Sequence, residues 1–133
     1  MVIDRRIDAL AVGLMTLPVV AALIVWGQLP SQMAVHWNGA TPDVVLSKPM
    51  ATVGLLLFGI AAIVATRLAP DSLTNTPGGE NVTIVFVGIV FTYVQTIILV
   101  WNMGYRFDVG LAILPVLLIG GLLVIYSDRL PSR

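Results

Sequence analysis

The stretch VTIVFVGIVFTYVQTIILVW, Val82–Trp101, decides the fold class, because it runs for 20 residues without a charged side chain. A helix of about 20 apolar residues crosses the roughly 30 Å of hydrocarbon in a bilayer. Three further stretches of this kind occur in the chain, at Ala9–Trp26, Met50–Thr66 and Val109–Tyr126. The pattern predicts four transmembrane helices.

The composition of the whole chain favours the same fold class. The 133 residues are 58% hydrophobic and 11% charged, which leaves too few polar side chains to cover a water-soluble globule. We therefore predict an all-α membrane protein in which residues 1–133 form a single integral membrane domain. Its helices, at about residues 9–26, 50–66, 82–101 and 109–126, are expected to form a four-helix bundle in contact with membrane lipid.

The first apolar stretch has an alternative interpretation as a secretory signal, since Asp4, Arg5 and Arg6 precede it. The apolar region of a signal is usually about 7–15 residues long and is closed by a cleavage motif of small residues. Here the stretch continues through Trp26 to Leu29 without such a motif. We therefore expect a retained helix.

The distribution of basic residues predicts the orientation in the membrane. Four spans place both termini and the loop at residues 69–80, which is rich in proline and glycine and expected to be flexible, on one side. Cytoplasmic loops carry an excess of Lys and Arg. This side holds Arg5, Arg6, Arg67, Arg129 and Arg133, against Lys48 and Arg106 on the other side. We expect a multi-pass protein of the cell membrane with both termini in the cytoplasm and residues 29–48 as an outer loop.

Several classes of function are disfavoured by composition. The formal net charge of zero argues against a nucleic-acid partner, because phosphate binding requires a basic surface. The chain has no cysteine for disulfide or thiolate chemistry, and its motifs predict no cofactor. The outer loops offer no combination of nucleophile, base and oxyanion donor, so we do not expect an enzyme.

The central parts of the four apolar stretches contain no Asp, Glu, Lys, Arg or His. A small proton-coupled transporter needs an ionisable group at mid-depth, so this function is disfavoured. Asp8 is the nearest candidate, but it lies at the inner end of the first helix beside Arg5 and Arg6. We expect interfacial solvent to stabilise its charge.

Within the third helix, Thr92, Gln95 and Thr96 are spaced to lie on one face. They could form hydrogen bonds that pack helices together or line a water-filled path, and we favour helix packing. Small residues on the helices should allow close approach of the backbones, and Pro18 and Pro115 should bend their helices. The small residues are Ala9, Gly13, Gly54, Ala62, Thr66, Gly120 and Gly121.

The outer loop LPSQMAVHWNGATPDVVLSK, Leu29–Lys48, contains two prolines and is followed by Pro49, so we expect it to be an ordered lid. Its first part, Leu29–Val35, is predicted to form a short strand or an interfacial segment. Pro49 suits the first turn of the second helix, and Ser47 is a candidate N-cap residue.

His36, Trp37 and Asn38 form the polar centre of the predicted lid. A zinc site needs three or four ligands, and only Asp43 and Asp108 are plausible companions for the single histidine, so no metal site is predicted. We favour an imidazole that is hydrogen-bonded within the lid.

Asp43 and Lys48 could also form an ion pair across the turn of the lid. An exposed pair of this kind is usually worth only about 0–1 kcal/mol, so it would serve mainly to set the shape of the loop.

The combination Leu29-Pro30, His36-Trp37-Asn38-Gly39, Pro42-Asp43 and Ser47-Lys48 resembles the motif of the SdpI-like family. More narrowly, it resembles the domain of unknown function at the N-terminus of such proteins, over about Ala9–Thr66. One departure concerns a glycine, which in the family usually lies two residues before Pro-Asp. Here Thr41 directly precedes Pro42-Asp43, and Gly39 lies earlier. The second half of the chain matches only in hydropathy.

The best-known members of this family are polytopic membrane proteins that protect a cell from a secreted toxic peptide and signal its presence. The resemblance implies that a set of lid residues recognises or excludes a peptide. These residues are His36, Trp37, Asn38, Asp43 and Lys48.

Three functions remain open from the sequence. The first is a non-enzymatic SdpI-like protein whose outer loop recognises a peptide or protein in an immunity or signalling role. The second is an accessory or structural subunit that packs against a larger membrane complex. A small transporter is the least favoured.

Overall fold

The computed structural model describes residues 5–69 and 79–129. Its main helices are α1 (Arg5–Ile24), α2 (Leu55–Leu68), α3 (Gly79–Asn102) and α4 (Val109–Arg129). A π-helical turn, Met50–Gly54, leads directly into α2. Four helical segments are long and apolar enough to cross a membrane, as predicted, and this suggests a membrane protein.

The helix boundaries differ from the expected ones by a few residues, most clearly in the first and third helices. The first helix begins at Arg5 and ends at Ile24, and a 3₁₀ turn, Trp26–Gln28, follows it. The third begins at Gly79, so two residues assigned to the flexible inner loop are helical. A carboxylate in the first turn, here Glu80, stabilises a helix N-terminus. The remainder of that predicted loop, residues 70–78, lies outside the described residues.

The segment predicted as a lid is a β-hairpin, which corrects the all-α prediction. Strand β1 (Gln32–Asn38) pairs antiparallel with β2 (Thr41–Ser47). The strands contain β-branched residues that suit a pleated surface, and pairing satisfies backbone groups that a loop would leave open. Gly39 supplies the turn with a φ of 64°, a value that other residues rarely adopt.

The hairpin leads into the second helix without the predicted serine cap. Ser47 is the last residue of β2, opposite Gln32, and no side chain caps the helical turn that starts after Pro49. Instead, the Lys48 backbone N–H donates to the Ser31 carbonyl at 3.0 Å and closes the base of the hairpin. Proline needs no donor partner at this position, so the helix can start there, as predicted.

The buried core has two parts. Next to the hairpin, Ala22, Leu29, Met33, Ala51 and Ile98 form one cluster. We call this the hairpin end of the molecule. The second cluster joins α1, α2 and α3 toward their opposite ends, which we call the Arg67 end, and contains Ala11, Met15, Ile63 and Ile84.

Close helix approach involves Gly120, as expected, and also Gly88 and Gly59, which were not predicted. A Cβ at Gly88 would lie 3.0 Å from the Ala11 Cβ, and one at Gly59 would lie 3.0 Å from the Met15 Sδ. A Cβ at Gly13 or Gly121 would meet no atom within 4 Å. The α1–α3 contact at Gly88 therefore provides the tight crossing that the sequence analysis assigned to other positions.

The four helices do not pack equally. Only 6% of the apolar span of α4 is buried, against 28–33% for the other three spans. A hydrogen bond from the Tyr93 hydroxyl to the Ala112 carbonyl, 2.7 Å, and contact of Phe86 with Gly120 join α4 to α3. Three helices and the hairpin thus form the packed unit, and α4 lies beside it.

At the Arg67 end, one buried guanidinium joins three helices. Arg67 Nη2 lies 2.7 Å from Asp8 Oδ1 of α1, and Nη1 lies 3.3 Å from Glu80 Oε2 of α3. Nη2 also donates to Asn81 Oδ1 at 2.9 Å. Asp8 was expected to be stabilised by interfacial solvent, and its partner is instead Arg67, a residue that the sequence suggested only as an orientation signal.

Replacing Arg67 with alanine should strongly destabilise the protein, because two carboxylates would lose a cation that is only 6% exposed. We expect the free energy of unfolding to fall by about 3–5 kcal/mol, the usual loss when one partner of a buried ion pair is removed. Unfolding in detergent, followed by circular dichroism, measures the change. Arg106→Ala is the matched control and should cost about 1 kcal/mol or less, because Arg106 is exposed. Equal losses for the two variants would contradict a structural role of the cluster.

Candidate functional site

The hairpin is held to the helices by the side-chain amide of Asn102, the last residue of α3. The Ala34 backbone N–H donates to Asn102 Oδ1 at 2.9 Å, and Asn102 Nδ2 donates back to the Ala34 carbonyl at 2.9 Å. Nδ2 also donates to the Ile98 carbonyl at 2.7 Å. The amide therefore takes the place of a neighbouring strand on the inner edge of β1.

Two tryptophan–cation pairs surround this attachment. Lys48 Nζ donates to the Trp26 carbonyl at 2.9 Å and lies 4.9 Å from the centroid of the Trp26 ring. Arg106 Nη1 donates to the Trp101 carbonyl at 2.9 Å, with its Cζ 3.6 Å from the centroid of the Trp101 ring. Each cation donates to a carbonyl near the C-terminal end of a main helix, Trp26 just after α1 and Trp101 in the last turn of α3, where positive charge is favourable, and gains a cation–π contact.

Trp37 connects β1 to the second of these pairs. Its ring meets that of Trp101 edge to face, with 5.4 Å between the centroids. Trp37 is half-buried, and its indole N–H has no acceptor among the described residues. The contact packs Trp37 of β1 against Trp101 of α3.

His36 and Asp43 pair with each other on the exposed surface of the hairpin. His36 Nδ1 lies 2.6 Å from Asp43 Oδ1, and the two side chains are 67% and 45% exposed. The strand register shifts on both sides of His36, which leaves Val35 and Asp43 without a directly opposite residue. The predicted Asp43–Lys48 pair is wrong, because Asp43 binds His36 and Lys48 binds Trp26.

The other predicted site residues are distributed as follows. Asn38 is exposed at the end of β1, beside the turn. Asp108 accepts a hydrogen bond from the Leu111 backbone N–H at the start of α4, 3.3 Å away, so it is occupied as a helix cap. Within the described residues, no group of three His, Cys, Asp or Glu side chains could hold a metal ion.

The three polar residues of α3 do not act as one stripe. The Thr92 hydroxyl donates to the Gly88 carbonyl at 2.6 Å, and the Thr96 hydroxyl donates to the Thr92 carbonyl at 2.7 Å. Both hydrogen bonds lie within α3 and not between helices, because a threonine hydroxyl readily reaches the carbonyl four residues earlier. Gln95 is different, since it is buried between the helices.

In the described part of the chain, β2 pairs only with β1, and no strand adds to its outer edge. Ala34 lies opposite Val45, and both backbone groups of Ala34 point away from β2 toward Asn102. In an antiparallel pair, such a residue and its opposite neighbour form a pair without mutual hydrogen bonds. The N–H and C=O of Val45 therefore point outward from β2, where Val44 and Val45 are about half exposed.

Asn102 and Arg106 contact the hairpin end but were not among the predicted site residues. Asn102 follows an apolar stretch directly, and a polar residue there is equally typical of a helix end in solvent. Only its position next to Ala34, 68 residues away in the chain, distinguishes the two cases.

Comparison with protein families gives one match, to a domain of unknown function (DUF1648), over residues 13–60. The matched segment covers most of α1, the hairpin and the first part of α2. No curated protein and no solved structure matches the chain. The match supports the resemblance of this segment to a domain of unknown function.

Replacing Asn102 with alanine should release the hairpin from α3. The Ala34 N–H and C=O would lose their partners in a buried position, and each unsatisfied group costs about 1–3 kcal/mol. We expect hydrogen exchange at the Ala34 amide to accelerate at least about tenfold, as local opening becomes easier.

The matched control is Asn38→Ala, which removes the same side chain from an exposed position of the hairpin. Exchange at Ala34 should remain near the wild-type rate in this variant. Unchanged protection in Asn102→Ala would mean that the amide does not hold the hairpin.

Proposed function

We propose that this chain is a small non-enzymatic protein of the cell membrane, similar to the SdpI-like proteins, whose hairpin recognises an extended peptide or protein segment. In this proposal both termini lie in the cytoplasm and the hairpin lies outside. The role is one of immunity or signalling. The observation that carries it is the open edge of β2 on a hairpin that several contacts hold rigidly.

Strand addition is the mode of recognition that this edge supports. The outward N–H and C=O of Val45 provide one donor and one acceptor for an extended peptide, and β2 has no neighbour on that side among the described residues. The side chains of Val44 and Val45 offer apolar contact, while His36 and Asp43 provide exposed polar groups nearby. Backbone pairing would supply affinity and these side chains specificity.

The rigid attachment of the hairpin supports a binding role. A hairpin of two strands is only marginally stable in water by itself. Here Asn102, Lys48 and the Trp37–Trp101 contact all hold it in one position. A preordered edge loses less conformational entropy when a peptide binds, which raises affinity.

The hairpin surface, and not a cavity below it, is the favoured binding surface. The cavity described between the helices under Met33 has a volume of about 10 Å³, which is room for about one water molecule. A peptide side chain does not fit there. Recognition would therefore involve the exposed residues, including Asn38 and the His36–Asp43 pair.

Signalling would require that occupancy at the hairpin reaches the other side of the membrane. Helix α3 is suited to this, because Asn102 at one end holds β1 and Glu80 and Asn81 at the other contact Arg67. Its 24 residues span about 36 Å as one continuous helix. Displacement of β1 would act on α3 directly.

An accessory role in a larger membrane complex is the second candidate, and the exposure of α4 favours it. Only 6% of the α4 span is buried, so a partner helix could replace lipid along most of its length. Purification distinguishes the candidates: reproducible recovery with one large membrane partner supports the accessory role, whereas a single species alone in detergent opposes it. A transporter role is disfavoured, because Asp8 and Glu80, the carboxylates that bind Arg67, lie in the first turns of α1 and α3 and not at mid-depth.

The strand-addition proposal predicts that Val45→Pro weakens peptide binding. Short random peptides displayed on phage are selected against the purified full chain, and their affinity is then measured by fluorescence anisotropy. Proline removes the outward N–H of Val45, and β1 does not use this donor, so the hairpin should remain paired. We expect about a tenfold loss of affinity, equivalent to one hydrogen bond.

Val45→Ala is the control, because it removes the side chain and keeps the backbone donor. It should bind within about threefold of the wild type, as expected for loss of a half-exposed apolar contact. Equal affinity of Val45→Pro and the wild type, with the Ala34 amide still protected from exchange, would refute strand addition. Failure to select any peptide that binds the hairpin would also count against strand addition.

Alanine replacement of both His36 and Asn38 should weaken the same peptides without loosening the hairpin. The two side chains are exposed, and the His36–Asp43 pair is worth only about 0–1 kcal/mol to the fold. We expect an unchanged unfolding midpoint and a measurable loss of affinity in the anisotropy assay. Unchanged affinity at equal protein abundance would leave both residues without a role in recognition.

A further inference from the structure

A small cavity lies directly beneath the hairpin, between α1, the π-helical turn and α3. Its volume is about 10 Å³, close to the minimum that one water molecule needs. Pro18, Met33, Thr52, Gln95 and Ile98 are among the residues that line it. Two of these residues, Thr52 and Gln95, have polar side chains.

Gln95 contributes a buried acceptor. The residue is only 6% exposed, and its Oε1 has no hydrogen-bond donor among the described residues. A buried amide oxygen without a donor is costly, so such groups are normally satisfied by protein or by ordered water. The cavity is the open space next to this residue.

Thr52 adds a further acceptor at the same place. The Thr52 hydroxyl donates its hydrogen to the carbonyls of Lys48 and Pro49, at 2.9 and 3.2 Å, and its oxygen can still accept. The cavity therefore adjoins acceptors that require a donor.

We infer that this cavity binds one water molecule, which donates to Gln95 Oε1 and, with its second hydrogen, to the Thr52 oxygen. Water fits because it brings two donors in the available volume. A cation would also suit the acceptors, but no carboxylate lines the cavity to balance its charge. The ligand class is thus a small neutral donor.

This water would explain why irregular backbone occurs here at membrane depth. The π-helical turn and the proline of α1 both border the cavity, and departures from regular helix are tolerated where buried polar groups are satisfied again. The water would connect the π-helical turn to α3 directly below Met33 of β1. The water would help to hold the hairpin in place and would not form part of the peptide-binding surface.

The test is water-to-protein magnetisation transfer by NMR, with the isotope-labelled full chain in lipid nanodiscs. A long-lived bound water should give cross peaks to the Gln95 side-chain amide and the Thr52 methyl group. The side-chain amide of Asn102 is the internal control, because it is equally buried and its hydrogens go to the Ala34 and Ile98 carbonyls. It should give no cross peak. A cross peak at Asn102 as strong as that at Gln95, or none at Gln95, would overturn the inference.

Gln95→Leu extends the test by removing the acceptor, and the cross peak at Thr52 should then be lost. Thr92→Val, on the same helix, is the matched variant and should retain it, because that hydroxyl is already bonded within α3. If the Thr52 cross peak kept its full intensity in Gln95→Leu, the water would not be bound by Gln95. If this variant does not fold, the wild-type comparison of Gln95 with Asn102 still decides the question.

Discussion

The reciprocal hydrogen bonds between Asn102 and the backbone of Ala34 are the interaction on which the arrangement at the hairpin end depends. They satisfy the inner edge of β1 at a buried position, where an unpaired backbone group would be costly. Because Asn102 ends α3, the same bonds set the hairpin relative to the longest helix. The free edge of the hairpin is consequently that of β2, which makes recognition by strand addition geometrically available.

Polar contacts are concentrated at the two ends of the molecule, and apolar packing fills the space between them. Arg67 joins α1, α2 and α3 at one end, and the Lys48 and Arg106 contacts satisfy helix carbonyls at the other. This division follows from the cost of placing charge in hydrocarbon. Between the ends, Gln95 is a buried polar side chain beside a water-sized cavity.

Much of the fold could be predicted from the chain, and part of the candidate site as well. The apolar stretches identified the four helices because length and hydropathy are local properties. His36, Trp37 and Asn38 were predicted as the polar centre of the lid. The predicted partner of Asp43 was Lys48, whereas its partner in the structure is His36, because the strand register is irregular at His36. Register results from cross-strand packing, which short-range patterns specify weakly.

The sequence by itself determined the apolar helices, the ordered loop between the first two, and the lack of charge in their central parts. The tertiary structure alone decided which polar side chains meet: Arg67 with Asp8 and Asn102 with Ala34, across 59 and 68 residues of chain. It also showed that α4 packs far less than the other helices. The physical reason is that hydrophobic burial acts on any apolar segment, whereas hydrogen bonds require particular atoms at particular distances, and only the folded chain sets those distances.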